Sequence, residues 1–165
     1  MRIVIGGAGE VGRKVAKSLR GEGNDIILVD PDPVAIKEAQ ALDVMVLQGD
    51  VTRRETLKES LVSKAAIYIA CTERDEINLL SCSLARDLYE QENEGKSLMT
   101  IARVHDPGLV EEESVADLER WSGVKHHVCP DLLVIEDLKA GVKASSMREV
   151  LAMGADSWVA VVEVT

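Results

Sequence analysis

The chain has 165 residues, enough for one domain with a sizeable core. At 46% hydrophobic and 29% charged it is excluded from the disordered class, and with no Phe and 2% aromatics its core must be aliphatic, as suits a parallel sheet covered by helices. A net charge of −10 and a pI near 4.8 argue against nucleic acid as a partner, because phosphate-tracking surfaces are basic and stack bases on aromatic rings.

In chain order, a strand over 1–5 runs straight into the glycines Gly7, Gly9 and Gly12. No signal peptide is expected ahead of it, and no apolar run approaches the roughly 20 residues of a spanning helix. A helix is predicted from Glu10 to Leu19, with Val11, Val15 and Leu19 on one face and Ala16 beside them. Gly21-Glu22-Gly23-Asn24 ends it. A second strand from Ile26 closes on Asp30, and Pro31-Asp32-Pro33 opens a helix carrying Val34, Ile36 and Leu42. A third strand over 44–47 is closed by Gln48-Gly49-Asp50, followed by a short helix with Leu57 and Leu61 and a fourth strand over 65–70. Next comes a long helix over 75–91, with an apolar stripe of Ile77, Leu80, Leu84 and Leu88. The fifth strand is 98–104, Pro107-Gly108 opens an acidic helix through Glu111–Glu113 to Leu118, and the sixth strand is 124–128. Pro130-Asp131 starts a further helix through Ile135 and Leu138, and a β-type run covers 158–164.

This alternation predicts an α/β fold: a Rossmann-like, doubly wound parallel sheet of about six strands with helices on both faces. In such a sheet the ligand crevice lies at the carboxyl ends of the strands. Gly6–Gly12, Asp30, Gly49-Asp50, Thr72 and Arg103 fall at five such ends. The glycine motif has a physical reading: Gly7 allows the tight turn, Gly9 lets the backbone close on a pyrophosphate, and Gly12 lets the helix pack tightly on the strand. The helix then offers free N–H groups and its positive dipole end to phosphates. Asp30 is placed to accept from both hydroxyls of an adenosine ribose and to repel a 2′-phosphate. NADP is therefore disfavoured, while NAD(H), ATP, ADP and AMP share the adenosine half; NAD(H) is the first expectation and ATP or ADP the alternative.

The stretches IVIGGAGEVG (3–12), ILVDPDP (27–33), QGDVT (48–52), IACTERDEINLL (69–80), TIARVHDP (100–107) and VCPDLL (128–133) together resemble the TrkA-type, or RCK (regulator of potassium conductance), nucleotide-binding domain. The resemblance implies a cytosolic regulatory subunit, attached to the inner face of the membrane through a potassium transporter or channel, without inserting into the bilayer itself. It implies homodimers and larger rings whose shape changes with bound NAD(H), ATP or ADP. Carried onto this chain, Gly7-Ala8-Gly9-Glu10-Val11-Gly12 wrap the phosphates, and Asp30 with Pro31 holds the ribose. Asp50, Val51 and Thr52 sit by the adenine, Cys71, Thr72 and Glu73 line the middle of the nucleotide, and Arg103 reaches a phosphate or the distal end. Residues 105–128 form a longer linker than the family usually shows. The domain is expected over 1–140, with 141–165 a helix end and strand leading towards a second domain.

Each residue also has a plainer reading. Asp30 opens the helix behind it, Asp50 caps the next one, and Thr72 or Asp75 caps the helix over 75–91. Arg103 ends an apolar strand, so a phosphate or a carboxylate must neutralise it. His105, His126 and His127 lack metal-ligand spacing, and Cys71, Cys82 and Cys129 read as buried or half-buried thiols. Glu111–Glu113 read as a solvated helix face, as do Arg13, Lys14, Lys17 and Arg20, although Arg13 lies within reach of a phosphate or a neighbouring subunit.

The rival class is an NAD-dependent oxidoreductase. Hydride transfer needs a proton donor or acceptor beside the nicotinamide. Tyr68 lies inside a strand, and Tyr89 lies far down a helix without a Tyr-x-x-x-Lys partner. The residues favour a sensor.

Overall fold

The computed structural model describes residues 1–110, 118–143, 147–152 and 158–162. Six short strands pair in parallel: β1 (Arg2–Gly6), β2 (Asp25–Asp30), β3 (Met45–Gln48), β4 (Ile67–Ala70), β5 (Met99–Arg103) and β6 (His126–Val128). Their spatial order is β3-β2-β1-β4-β5-β6, the doubly wound arrangement that the alternation predicts. Helices α1 (Glu10–Gly21), α2 (Pro33–Ala39), α3 (Arg54–Glu59) and α4 (Asp75–Glu92) make the crossovers. Among the described residues no helix is long and apolar enough to cross a membrane.

The central strands are buried on both faces, which is why they read as unbroken aliphatic runs. Ile3, Ile5, Ile26, Leu28 and Ile69 cluster with Ala16 of α1 and Ala35 and Ala39 of α2. The alternate residues Val4, Ile27, Val29 and Tyr68, also fully buried, point to the opposite face. β1 and β4 are neighbours, and the chain leaves them in opposite directions across the sheet. Their carboxyl ends form the switch point where a ligand crevice opens.

Several predicted faces are corrected. The buried face of α4 is Asn78, Leu79, Ser81, Cys82, Ala85 and Leu88, whereas Leu80 of the expected stripe is exposed. Small polar residues can face a sheet when their hydrogen bonds are met inside, and Asn78 and Ser81 both have partners. Val11 of α1 is exposed as well, and Gly12 and Ala16 are the buried residues there. Leu61 lies beyond α3, at the left-handed φ of 58° that leads into a 3-10 turn at Val62–Lys64. Pro107-Gly108 opens only a 3-10 turn, Pro107–Leu109; residues 111–117 of the expected acidic helix lie outside the described residues, and 118–122 are helical.

The chain divides into two compact units, Met1–Cys129 and Pro130–Thr165. The second holds helix α5 (Pro130–Lys143) and an antiparallel pair, β7 (Met147–Ala152) with β8 (Trp158–Val162). The sequence reading finds β8 but not β7. Residues 147–152, Met-Arg-Glu-Val-Leu-Ala, lack the apolar/polar alternation of a half-buried strand, and only the pairing defines it.

Candidate functional site: a cleft at the carboxyl ends of the strands

The loop after β1 is shaped by close backbone approach. Gly7 adopts φ +103°, and a Cβ there would lie 2.9 Å from the Thr72 nitrogen at the end of β4. A Cβ on Gly12 would lie 1.9 Å from the Gly7 carbonyl oxygen, so the first turn of α1 closes onto the start of its own loop. At Gly9 a Cβ would meet nothing within 4 Å. Gly7 and Gly12 are thus demanded by the protein's own packing, and Gly9 is not.

Side chains then hold the loop from both sides. Asp30, ending β2, accepts from the Ala8 N–H at 2.6 Å and from the Asp32 N–H at 2.8 Å. Arg13 donates to the Ala8 carbonyl at 2.7 Å and pairs with Glu38 of α2 at 2.9 Å. Arg13 is therefore a half-buried clamp, correcting its reading as part of a solvated face. Glu10, in the first turn of α1, is exposed and pairs with Lys14, whose hydrogen bond holds its carboxyl below the usual range. Gly9 to Gly12 begin a helix that has no side-chain cap. Its free N–H groups and dipole favour an anion.

A cleft of about 370 Å³ opens beside this loop, lined by Gly7, Gly9, Val29, Asp30, Pro31, Asp32, Ala35, Asp50, Val51, Cys71, Thr72, Glu73, Arg74 and Ile77. The structure thus gathers nine of the expected site residues on one surface: Gly7, Gly9, Asp30, Pro31, Asp50, Val51, Cys71, Thr72 and Glu73. Ala8 and Gly12 are buried behind the loop, and Glu10 and Val11 face solvent on α1. Thr52 acts through Asp50, donating its N–H at 2.8 Å and its hydroxyl at 2.7 Å to one carboxylate oxygen. Those bonds, hydroxyl first, keep the Asp50 carboxyl below its ordinary range.

Arg103 does not line the cleft. Its Nε is buried and meets no hydrogen-bond partner among the described residues, and its charge acts on the Cys71 thiol, which burial pushes up and Arg103 draws down. Sequence reading missed Val29, Asp32, Ala35, Arg74 and Ile77 in the lining. The D-P-D-P and E-R-D-E-I runs carry the signal for Asp32, Arg74 and Ile77, since residues flanking a strand-end acid and a helix start share its crevice. Thr72 and Asp75 are not the N-caps expected: Arg74 occupies that position without a side-chain cap, and the Thr72 hydroxyl donates to Asn78 Oδ1 at 2.7 Å.

A second cleft, of about 440 Å³, lies at the amino ends of β2 and β3 beside the Arg20–Asp43 ion pair. It has neither a glycine loop nor a helix start to receive an anion. The strand-end cleft combines both with the Asp30 carboxylate.

A family model for the TrkA-N domain matches residues 3–130. The chain belongs to the TrkA-N family. It is 36% identical over 138 residues to "Trk system potassium uptake protein trkA homolog 1" of Methanosarcina mazei, a match covering 84% of this chain and 33% of that relative. This TrkA-N chain therefore spans about a third of that protein's length. Among solved structures, the GsuK channel bound to NAD superposes with a TM-score of 0.68 at 21% identity, covering 90% of this chain and 24% of that one. GsuK bound to ADP gives 0.63 at 22% identity, covering 90% and 35%. Both likenesses are of fold.

Proposed function

We propose that this TrkA-N chain is the nucleotide-sensing part of a cytosolic regulator of a potassium uptake system or channel. It binds an adenine nucleotide in the strand-end cleft and passes its occupancy to a membrane partner through rearrangement of a homodimer or larger ring. The observation that carries this reading is the cleft itself, where an uncapped helix start and the Asp30 carboxylate face one space. The Trk name of the 36% identical relative and the NAD- and ADP-bound GsuK structures support it.

In this reading the N–H groups of Gly9 to Gly12 take the phosphates, with Ala8, Glu10 and Val11 forming the body of the loop. Asp30 and Pro31 take the ribose, Asp50, Val51 and Thr52 flank the adenine, and Cys71, Thr72 and Glu73 the middle of the ligand. Arg103 stands outside the lining, and its charge reaches the site through the Cys71 thiol. NAD(H) fits best, ADP and ATP are the alternatives, and NADP is disfavoured because its 2′-phosphate would meet Asp30 and Asp32. Residues 1–140 serve as the binding domain, and 141–165 lead towards a further domain, in keeping with the greater length of the Methanosarcina relative.

A sensor fits the lining better than an oxidoreductase. Tyr68 is fully buried outside the lining, so it has no route to a nicotinamide in the cleft. Thermal-shift titration with NAD, NADH, ADP, ATP and NADP tests the reading. Stabilisation by the first four with NADP weakest is the expected result, and no response to any adenylate would overturn it.

A further inference from the structure

The motif D-E-I-N-L-L at the start of α4 contains a fully buried amide, Asn78, whose hydrogen-bonding capacity is entirely used. Its Oδ1 accepts from the Thr72 N–H at 2.9 Å and the Thr72 hydroxyl at 2.7 Å. Its Nδ2 donates to the Thr72 carbonyl at 3.1 Å and to the Arg103 carbonyl at 2.8 Å. One side chain thus holds a wall residue of the cleft on one side and the last residue of β5 on the other. On the same turn of α4, the Asp75 carboxylate accepts from the His105 N–H at 2.9 Å, from the His105 ring nitrogen at 2.8 Å and from the Asp106 N–H at 2.9 Å. The exit of β5 is thus tied to the helix turn that follows the cleft wall, as well as to β6 through the Val104 N–H.

We propose that Asn78 is a positioning residue of the nucleotide cleft, whose amide fixes the Thr72 wall and the end of β5 in one frame, so that occupancy of the cleft is transmitted to the β5 exit. This rests on the nucleotide reading above and adds a residue that does not itself line the cleft. The chemistry requires Asn. Asp can still accept both Thr72 bonds but loses both donors, Leu loses all four bonds, and Gln adds a methylene to a side chain that is already fully enclosed.

The test is Asn78→Asp in the full chain, with ADP affinity measured by calorimetry near pH 8 and near pH 5.5 and expressed relative to the unsubstituted protein at each pH. A buried carboxylate facing two carbonyls takes up a proton well above the usual carboxyl range, and the neutral acid regains one donor. The expected result is at least about a tenfold loss of affinity at the higher pH, one lost contact of about 1.4 kcal/mol, shrinking at the lower pH. A deficit that is absent, or equal at both values, overturns the proposal. Should the variant not fold, amide exchange on the unsubstituted protein decides. ADP should slow exchange at Thr72 and also at His105 and Asp106, and protection confined to the cleft lining would overturn the proposal. Unsubstituted protein that binds no adenylate would overturn the nucleotide reading itself, and this inference with it.

Discussion

Gly9 and Gly12 stand in one loop and answer to different constraints. A Cβ at Gly12 would lie 1.9 Å from a carbonyl oxygen, so Gly12→Ala must displace the loop or the helix, at a cost of about 3 kcal/mol seen as a lower melting temperature. At Gly9 there is room, so Gly9→Ala should leave stability nearly unchanged and weaken nucleotide binding by about tenfold or more, since its methyl would stand where the phosphates approach. Calorimetry and thermal melts on the two variants separate these effects, and a Gly9→Ala protein that binds normally would remove the loop from the phosphate site. Asp30 is different again. Its two oxygens already hold Ala8 and Asp32, so Asp30→Ala should weaken every adenosine ligand by about 1–3 kcal/mol while also loosening the loop. The diagnostic quantity is therefore a ratio. Affinity for NADP relative to NAD should rise in this variant, and an unchanged ratio would take the ribose role away from Asp30. The glycines and Asp30 were legible because their spacing is local. The clamp by Arg13 was not, because its ion-pair partner Glu38 belongs to another helix and meets it only in the fold.

The first turn of α4 is the element on which the cleft wall depends, and its stability has a predictable pH dependence. Burial opposes ionisation of the Asp75 carboxyl, but the Asp106 N–H, the His105 ring and the His105 N–H outweigh it, so its pKa lies below the ordinary value. A depressed folded-state pKa means that the stabilisation is complete above the unfolded value of about 3.9 and is lost as pH falls through the lower folded value. Asp75→Ala should therefore cost about 1–3 kcal/mol at neutral pH, with the difference from the unsubstituted protein closing only in acid. Urea unfolding at a series of pH values checks this, and a difference that is flat down to strong acid would exclude the Asp75 clamp as its source. Helix α4 also shows where periodicity misleads. The leucines of its expected stripe outweigh Asn78 and Ser81 on any hydrophobicity scale, yet both polar residues are buried. Thr72 and the Arg103 carbonyl meet Asn78, and Ser81 donates to the Asn78 carbonyl of its own helix. Hydrogen-bond satisfaction is a tertiary quantity, and spacing does not report it.

On the scale of the whole molecule, α5 leaves Leu133, Val134, Ile135 and Leu138 between 40% and 65% exposed, a concentration of apolar surface that seeks a cover. The proposed oligomer supplies one. Size-exclusion with light scattering should find a dimer or larger species, and Leu138→Glu should shift it towards monomer. A chain that is monomeric at every concentration, with and without nucleotide, would count against the proposed mechanism of gating. The sequence by itself determined the order of elements from β1 to β5, the parallel sheet and the strand ends that carry chemistry. Those follow from local patterns: aliphatic runs, helix starts and a glycine loop, each complete within a few neighbouring residues. Tertiary structure alone decided which expected site residues share a surface, that Arg103 stands outside it, that Asn78 joins two strand ends, and that the last β-run pairs with β7 in a separate hairpin. Each of those depends on partners distant in the chain, whose meeting is fixed by packing and by the need to satisfy buried polar groups, neither of which is written in the spacing of residues.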